Sequence, residues 1–206
     1  MSYLQAVGTE LKKSWWSAVV VIVFTIGRLF FGWDFFKAGF EKATSEHWFS
    51  DGKFNAGGLI GKMVSNVQHS HGSDPLHLNG LLVWFANHLF IPMGHATDVL
   101  VIFFEMAIGL FTFFGLGILW TMIAALFLNL QFAAAGSANN FGYLVTDIIW
   151  FKWPSYAGLI GVDGYIRYRR GQNLLGPAGP ATRKFSDRGD AGTSVGGTRR
   201  GTGAPM

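Results

Sequence analysis

The chain has 206 residues, of which 50% are hydrophobic, 16% aromatic and only 14% charged, with a formal net charge of +4. Soluble domains carry roughly 25% charged residues, so this chain has too little polar surface for water and too much apolar content for disorder. It contains no Cys, which excludes disulfides, thiolate metal sites, Cys-ligated iron–sulfur clusters and dithiol redox chemistry. A membrane protein of one domain is the class that remains.

Residues 1–16 form an N-terminal segment containing Lys12 and Lys13. From Trp15 to Phe36 the chain is almost wholly apolar, broken by Arg28 and Asp34, and it reaches the about 20 residues that a spanning helix needs. The two lysines would also suit a signal peptide. No small-x-small cleavage site follows, however, and Gly27–Trp33 continues as bulky sequence, so a retained first transmembrane helix is expected.

An outer loop is expected over about 41–95. Within it, residues 75–94 carry the apolar runs Leu81–Phe85 and Leu89–Ile91, interrupted by Asn79, Asn87, His88 and Pro92. This reads as an amphipathic helix lying at the membrane interface, with a fifth crossing as the alternative. Thr97–Ala135 spans 39 residues with only Asp98 and Glu105 charged. A straight helix of that length would be about 58 Å long, roughly twice the hydrocarbon core. The chain must fold back, and Gly115-Leu116-Gly117 is the predicted hinge. A fourth helix starts near Phe141, is interrupted at Lys152-Trp153-Pro154 and ends at Arg167–Arg170. The predicted fold is an all-α integral membrane protein: a four-transmembrane-helix bundle over 17–170, with an interfacial helix between helices one and two.

Basic residues set the expected orientation. Lys12 and Lys13 precede helix one and eight Lys or Arg lie between Arg167 and Arg200, whereas Glu41–His95 has three Lys against four acids. The positive-inside rule then puts both termini in the cytoplasm of a multi-pass cell-membrane protein. The net charge is a topology signal, and the expected partner is the bilayer, with no nucleic acid. Residues 171–206 are rich in Gly, Pro, Ser and Thr with scattered Arg, and read as a disordered basic cytoplasmic tail.

Intramembrane polar residues are costly and mark candidate sites. Arg28 lies about 16 Å along the helix from Ser17, and Glu105 about 18 Å from Gly117. Equal depth on antiparallel helices predicts an Arg28–Glu105 ion pair, either structural or part of a pocket wall. Asn129 lies midway along helix three and joins these two as the candidate catalytic set. Asp34, Gln131, Asp147 and Asp163 are the candidate ligand-binding positions. Asn129 and Gln131 stand about 200° apart around a helix, so one can line a cavity while the other meets backbone or interface. Gly32 and Gly39 share a face of helix one, and Gly109 stacks one turn from Glu105; close helix packing is expected there.

All six His fall between residues 47 and 95. His69, His71 and His77 have metal-capable side chains, but their Gly/Ser/Pro loop points to solvent exposure, and no metal is expected. His88 and His95 flank Pro92 and suit proton exchange better.

Together, Arg28-x3-Gly32, Gly39-x2-Lys42 and Glu105-x3-Gly109-x5-Gly115 resemble the DoxX/DoxD superfamily of small four-helix membrane proteins. The likeness is closer to its DoxD-like branch through three further segments: Trp84-Phe85-x4-Phe90-Ile91-Pro92, the run from Asn129 to Asn140, and Gly158–Asp163. It covers roughly Ala18–Tyr168. It departs from the family pattern at Lys152-Trp153-Pro154 and at Gly164, where a basic residue is common after the Asp.

The resemblance implies a membrane subunit of a thiosulfate:quinone oxidoreductase, which oxidises thiosulfate to tetrathionate and reduces a membrane quinone. Its matching polar positions are Arg28, Glu105, Asn129 and Asp163. Quinone is then a substrate and a second redox subunit a partner. The sequence carries no nucleotide loop, flavin fingerprint or haem-attachment motif. The competing expectation is a non-catalytic membrane scaffold that recruits or assembles redox enzymes.

Overall fold

A computed structural model of the chain describes residues 1–70, 74, 77–137 and 140–176. Among these the regular structure is helical, in ten α-helices and one π-helical turn. Helix α1 (Tyr3–Lys12) begins at Ser2, whose hydroxyl and Gln5 form a reciprocal capping box. Helix α2 (Trp15–Thr44) follows the Ser14 cap and runs 30 residues. It outlasts the expected end at Phe36 by two turns, which pack Gly39 against Ile102 and Met106 and pair Lys42 with Glu105.

The segment expected as an outer loop is largely helical. It holds α3 (Ala56–Gln68), α4 (Leu78–Phe85), a π-helical turn (Ala86–Phe90) and α5 (Ile91–Met93). These pack as a cap around Ile60, Met63, Leu82 and Phe90, against Phe127 and Leu130. Then come α6 (His95–Phe114) and α7 (Ile118–Ala134), joined by the predicted glycine hinge. Gly115 and Gly117 have φ of +68° and +60°, which a side chain would strain. Helix α8 (Asn140–Lys152) breaks before Pro154 as predicted, and α9 (Pro154–Gly158) and α10 (Val162–Arg169) follow.

Helices α2 and α6 run antiparallel in close contact, through the glycines expected to pack. A methyl group on Gly32 would come within 2.6 Å of the Phe113 amide nitrogen, and one on Gly39 within 3.0 Å of the Ile102 carbonyl. A methyl on Gly109 would collide with the Phe36 backbone. Phe31, Phe35, Met122 and Trp150 fill the core among α2, α7 and α8. At the end opposite the cap, Ala6, Val7, Val21, Leu159 and Leu174 bury one another. The ordered chain therefore passes the expected boundary at 171, since Leu174 is packed and Arg167 bonds the Gly176 carbonyl. The rest of the segment read as a tail, 177–206, lies outside the described residues.

Helices α2 and α6 are long and apolar enough to cross a membrane. Only 28% and 39% of their most apolar stretches are buried inside the protein, so their outward faces are apolar as well. The helix over Leu78–Met93 and α7 are apolar but shorter.

Candidate functional site

Glu105 is 2% exposed, at mid-length of α6. Its two carboxylate oxygens accept from Lys42 Nζ at 2.9 and 2.8 Å. Lys42 sits in the last turn of α2, with its ammonium 5.7 Å from the centre of the Trp48 ring. The expected Arg28–Glu105 pair is therefore absent. Depth was reckoned from Ser17 and Gly117 as if they lay at one level, but Arg28 itself is level with the hinge: its guanidinium lies against Gly115. Helix α2 thus extends about 20 Å beyond the hinge, and Glu105 stands about 15 Å above Arg28.

A second set of polar groups gathers beside Glu105. Asn129 is fully buried on α7. Its amide nitrogen donates to Asp147 Oδ2 at 2.8 Å, and its amide oxygen accepts from Asn140 Nδ2 at 3.1 Å. Ser137 Oγ donates to Asn140 Oδ1 at 2.8 Å. The other Asp147 oxygen is buried without a hydrogen-bond partner. Across the same space, the Tyr143 hydroxyl donates to Asp34 Oδ2 at 3.1 Å. Lys42, Glu105, Asn129, Asn140, Tyr143 and Asp34 line a cavity of about 530 Å³.

A second cavity of about 300 Å³ lies beside it, among α3, α6 and α7. Its walls include Met63, Phe104, Phe127 and Leu128, and it shares Trp48, Leu59 and Phe132 with the polar chamber. Gln131 reaches this apolar chamber and returns its amide to the Phe127 carbonyl at 3.3 Å. The two amide side chains of α7 thus divide as their angular separation requires: Asn129 faces the polar chamber and Gln131 the apolar one.

Arg28 and Asp163 are not part of either chamber. Arg28 is 3% exposed between Gly115 and Gly161, and its Nη2 donates to the Ile160 carbonyl at 2.5 Å. Asp163 accepts from the Gly117 and Ile118 amides at 2.8 and 2.9 Å, capping α7 from α10. Both hold the hinge to the C-terminal helices. Asp98 does the same work at the other end: buried on α6, it accepts from the Asn55 and Ala56 amides at 2.7 and 2.8 Å and caps α3.

Of the seven candidate residues, Glu105, Asn129 and Asp34 meet at the polar chamber, with Asp147 behind Asn129; Gln131 belongs to the apolar one. The sequence reading missed Lys42, Trp48, Asn140 and Tyr143 as site residues. A signal existed for Lys42, which follows Gly39 by three residues on the flank of the glycine face that meets α6.

Three of the histidines have partners in the chain. His69 Nδ1 lies 2.7 Å from the Ser65 carbonyl. His88 stacks on Trp84, and His95 Nδ1 lies 2.9 Å from the Lys53 carbonyl. His71 lies outside the described residues. Among the described residues, no three His, Asp or Glu side chains converge as a metal site would need. No protein-family model, curated protein or solved structure matches the chain.

Proposed function

We propose that the chain is the membrane subunit of a quinone-linked oxidoreductase of the thiosulfate:quinone type. The observation that carries this reading is a charged, hydrogen-bonding chamber beside an apolar one, with Trp48, Leu59 and Phe132 as common wall. A quinone has matching parts: carbonyls that need donors and a ring and isoprenoid tail that need apolar surface. Lys42 and Asn140 each keep an N–H donor beyond those given to Glu105 and Asn129, and Glu105 holds the Lys42 ammonium in place at the chamber wall. Joining two thiosulfates as tetrathionate releases two electrons; these and two protons convert a quinone to its quinol. A second redox subunit is the proposed carrier of the thiosulfate half-reaction. The DoxX/DoxD-like motifs support the same assignment, since Glu105 and Asn129, two of their polar positions, meet at this chamber.

The proposed setting is the cell membrane, crossed four times by α2, α6, α7 and the α8–α9 unit. Phe30, Trp33, Phe103, Phe114 and Trp120 are each more than half exposed, a surface that suits lipid better than water. At about 20 Å, α8 alone is short for a 30 Å hydrocarbon core, so local bilayer thinning or α9 completes the crossing. Lys12, Lys13, Lys152 and the arginines of α10 lie at the end where Tyr3 of α1 packs on Tyr165. Their charge supports a cytoplasmic placement of that end and of both termini. The cap of α3–α5 is then external, with Leu78–Met93 at the interface.

The test is thiosulfate-dependent quinol formation in membranes and in purified complex, comparing wild type with Lys42→Met/Glu105→Leu, which fills the site with apolar side chains. Wild-type activity and its loss in the folded double variant are expected. A partner complex that forms normally around a chain with no quinone affinity would replace this reading with the scaffold.

A further inference from the structure

At the end of the molecule opposite the polar chamber, a groove of about 720 Å³ runs between the start of α7, the end of α8 and α10. Lys152 and Arg170 are exposed on its walls, and among the described residues neither forms an ion pair. Among the described residues the one carboxylate in the groove, Asp163, is committed to the Gly117 and Ile118 amides. A third cation, Arg167, donates through Nη1 to the Gly176 carbonyl at 2.7 Å, and so fixes the wall formed by the chain after α10. The rim is aromatic: Trp120 is 73% and Trp153 45% exposed, and Lys152 Nζ lies 5.7 Å from the Trp153 ring centre.

Cations with no counter-ion among the described residues, beside exposed tryptophans and above an apolar helix surface, make a recognisable combination. Tryptophan favours the headgroup level of a bilayer, and basic pockets between helices on the cytoplasmic side hold anionic headgroups. We propose that this groove binds one anionic phospholipid of the inner leaflet, with its phosphate between Lys152 and Arg170 and its acyl chains along Leu119 and Phe151. The assignment rests on the membrane orientation given above and is independent of quinone binding.

Native mass spectrometry of the full chain in neutral detergent tests it, with phosphatidylglycerol, phosphatidylcholine and inorganic phosphate as probes. Wild type is expected to retain one phosphatidylglycerol about tenfold better than phosphatidylcholine. Lys152→Gln/Arg170→Gln should remove that preference, whereas Lys12→Gln/Lys13→Gln, at the same end but outside the groove, should keep it. Equal retention of both lipids by wild type, or equal losses in the two double variants, overturns the proposal. Displacement of the lipid by inorganic phosphate would assign the groove to a free anion and also overturn it. If the groove variant elutes as aggregate, Arg170→Gln alone decides: an undiminished preference there refutes the site. Quinone binding plays no part in the readout, so failure here leaves the outer chamber's assignment standing. A chain that stays monodisperse without detergent would instead remove the membrane orientation itself.

Discussion

Glu105 and Arg28 are both buried, at 2% and 3% exposure, yet their surroundings differ in kind. Glu105 meets the Lys42 ammonium, and both border a cavity of about 530 Å³ that Asp34, Asn129, Asn140 and Tyr143 also face. Arg28 is wedged between Gly115 and Gly161, where Nη2 donates to the Ile160 carbonyl while Nε and Nη1 are buried with no partner among the described residues. Beside it, Asp163 is taken up by two backbone amides. One end has charge facing open space; the other has charge packed tightly into the turns that close the bundle. A buried charge therefore marks a candidate site only where volume is left for a ligand.

The largest effect is expected from breaking the Lys42–Glu105 pair on one side. Lys42→Met leaves Glu105 uncompensated and should cost about 3–5 kcal/mol. The double variant Lys42→Met/Glu105→Leu should cost less, and the thermal midpoints of the four proteins in detergent measure the difference. Additive losses would mean that the two residues do not support each other.

Next comes the helix contact that sets their register. Gly109→Val would push α6 off the Phe36 backbone and should cost about 1–3 kcal/mol. Monodisperse yield should fall, and quinone affinity with it, because Lys42 and Glu105 are carried by the two separated helices. Unchanged yield would refute the close approach. Asp163→Asn should cost about 1 kcal/mol, the usual worth of a helix cap, and leave quinone affinity as in wild type. A loss of affinity there would erase the distinction between the two ends. Smallest is Tyr143→Phe, which removes the hydroxyl bonded to Asp34. Thermal stability should stay within about 1 kcal/mol, and quinone titration should match wild type, because that hydroxyl's proton is given to Asp34 and not to the ligand.

Much of the helical layout was legible because its signals are local. The hinge is marked by two glycines that adopt positive φ, and the break after Lys152 by Pro154. The division between Asn129 and Gln131 follows from helical angle alone. Register was not legible, since nothing near Arg28 reports how far α2 extends beyond the α6–α7 turn. That length depends on α1, α9 and α10 packing around Val21 and Leu159. Helix α3 was also hidden: Gly57, Gly58 and Gly61 give it poor intrinsic propensity. It is held by the distant cap from Asp98 and by burial of Ile60 and Met63. Lys42 was missed for the same reason, its partner being 63 residues away.

The most direct test of the polar chamber as the quinone site is photolabelling of the purified full chain with an azido-quinone, followed by peptide mapping. The account predicts saturable labelling, competed by unmodified quinone, on peptides carrying Trp48, Leu59 or Phe132. Label confined to the Gly115–Gly117 and Ile160–Asp163 segments, or labelling that unmodified quinone does not compete, would contradict it.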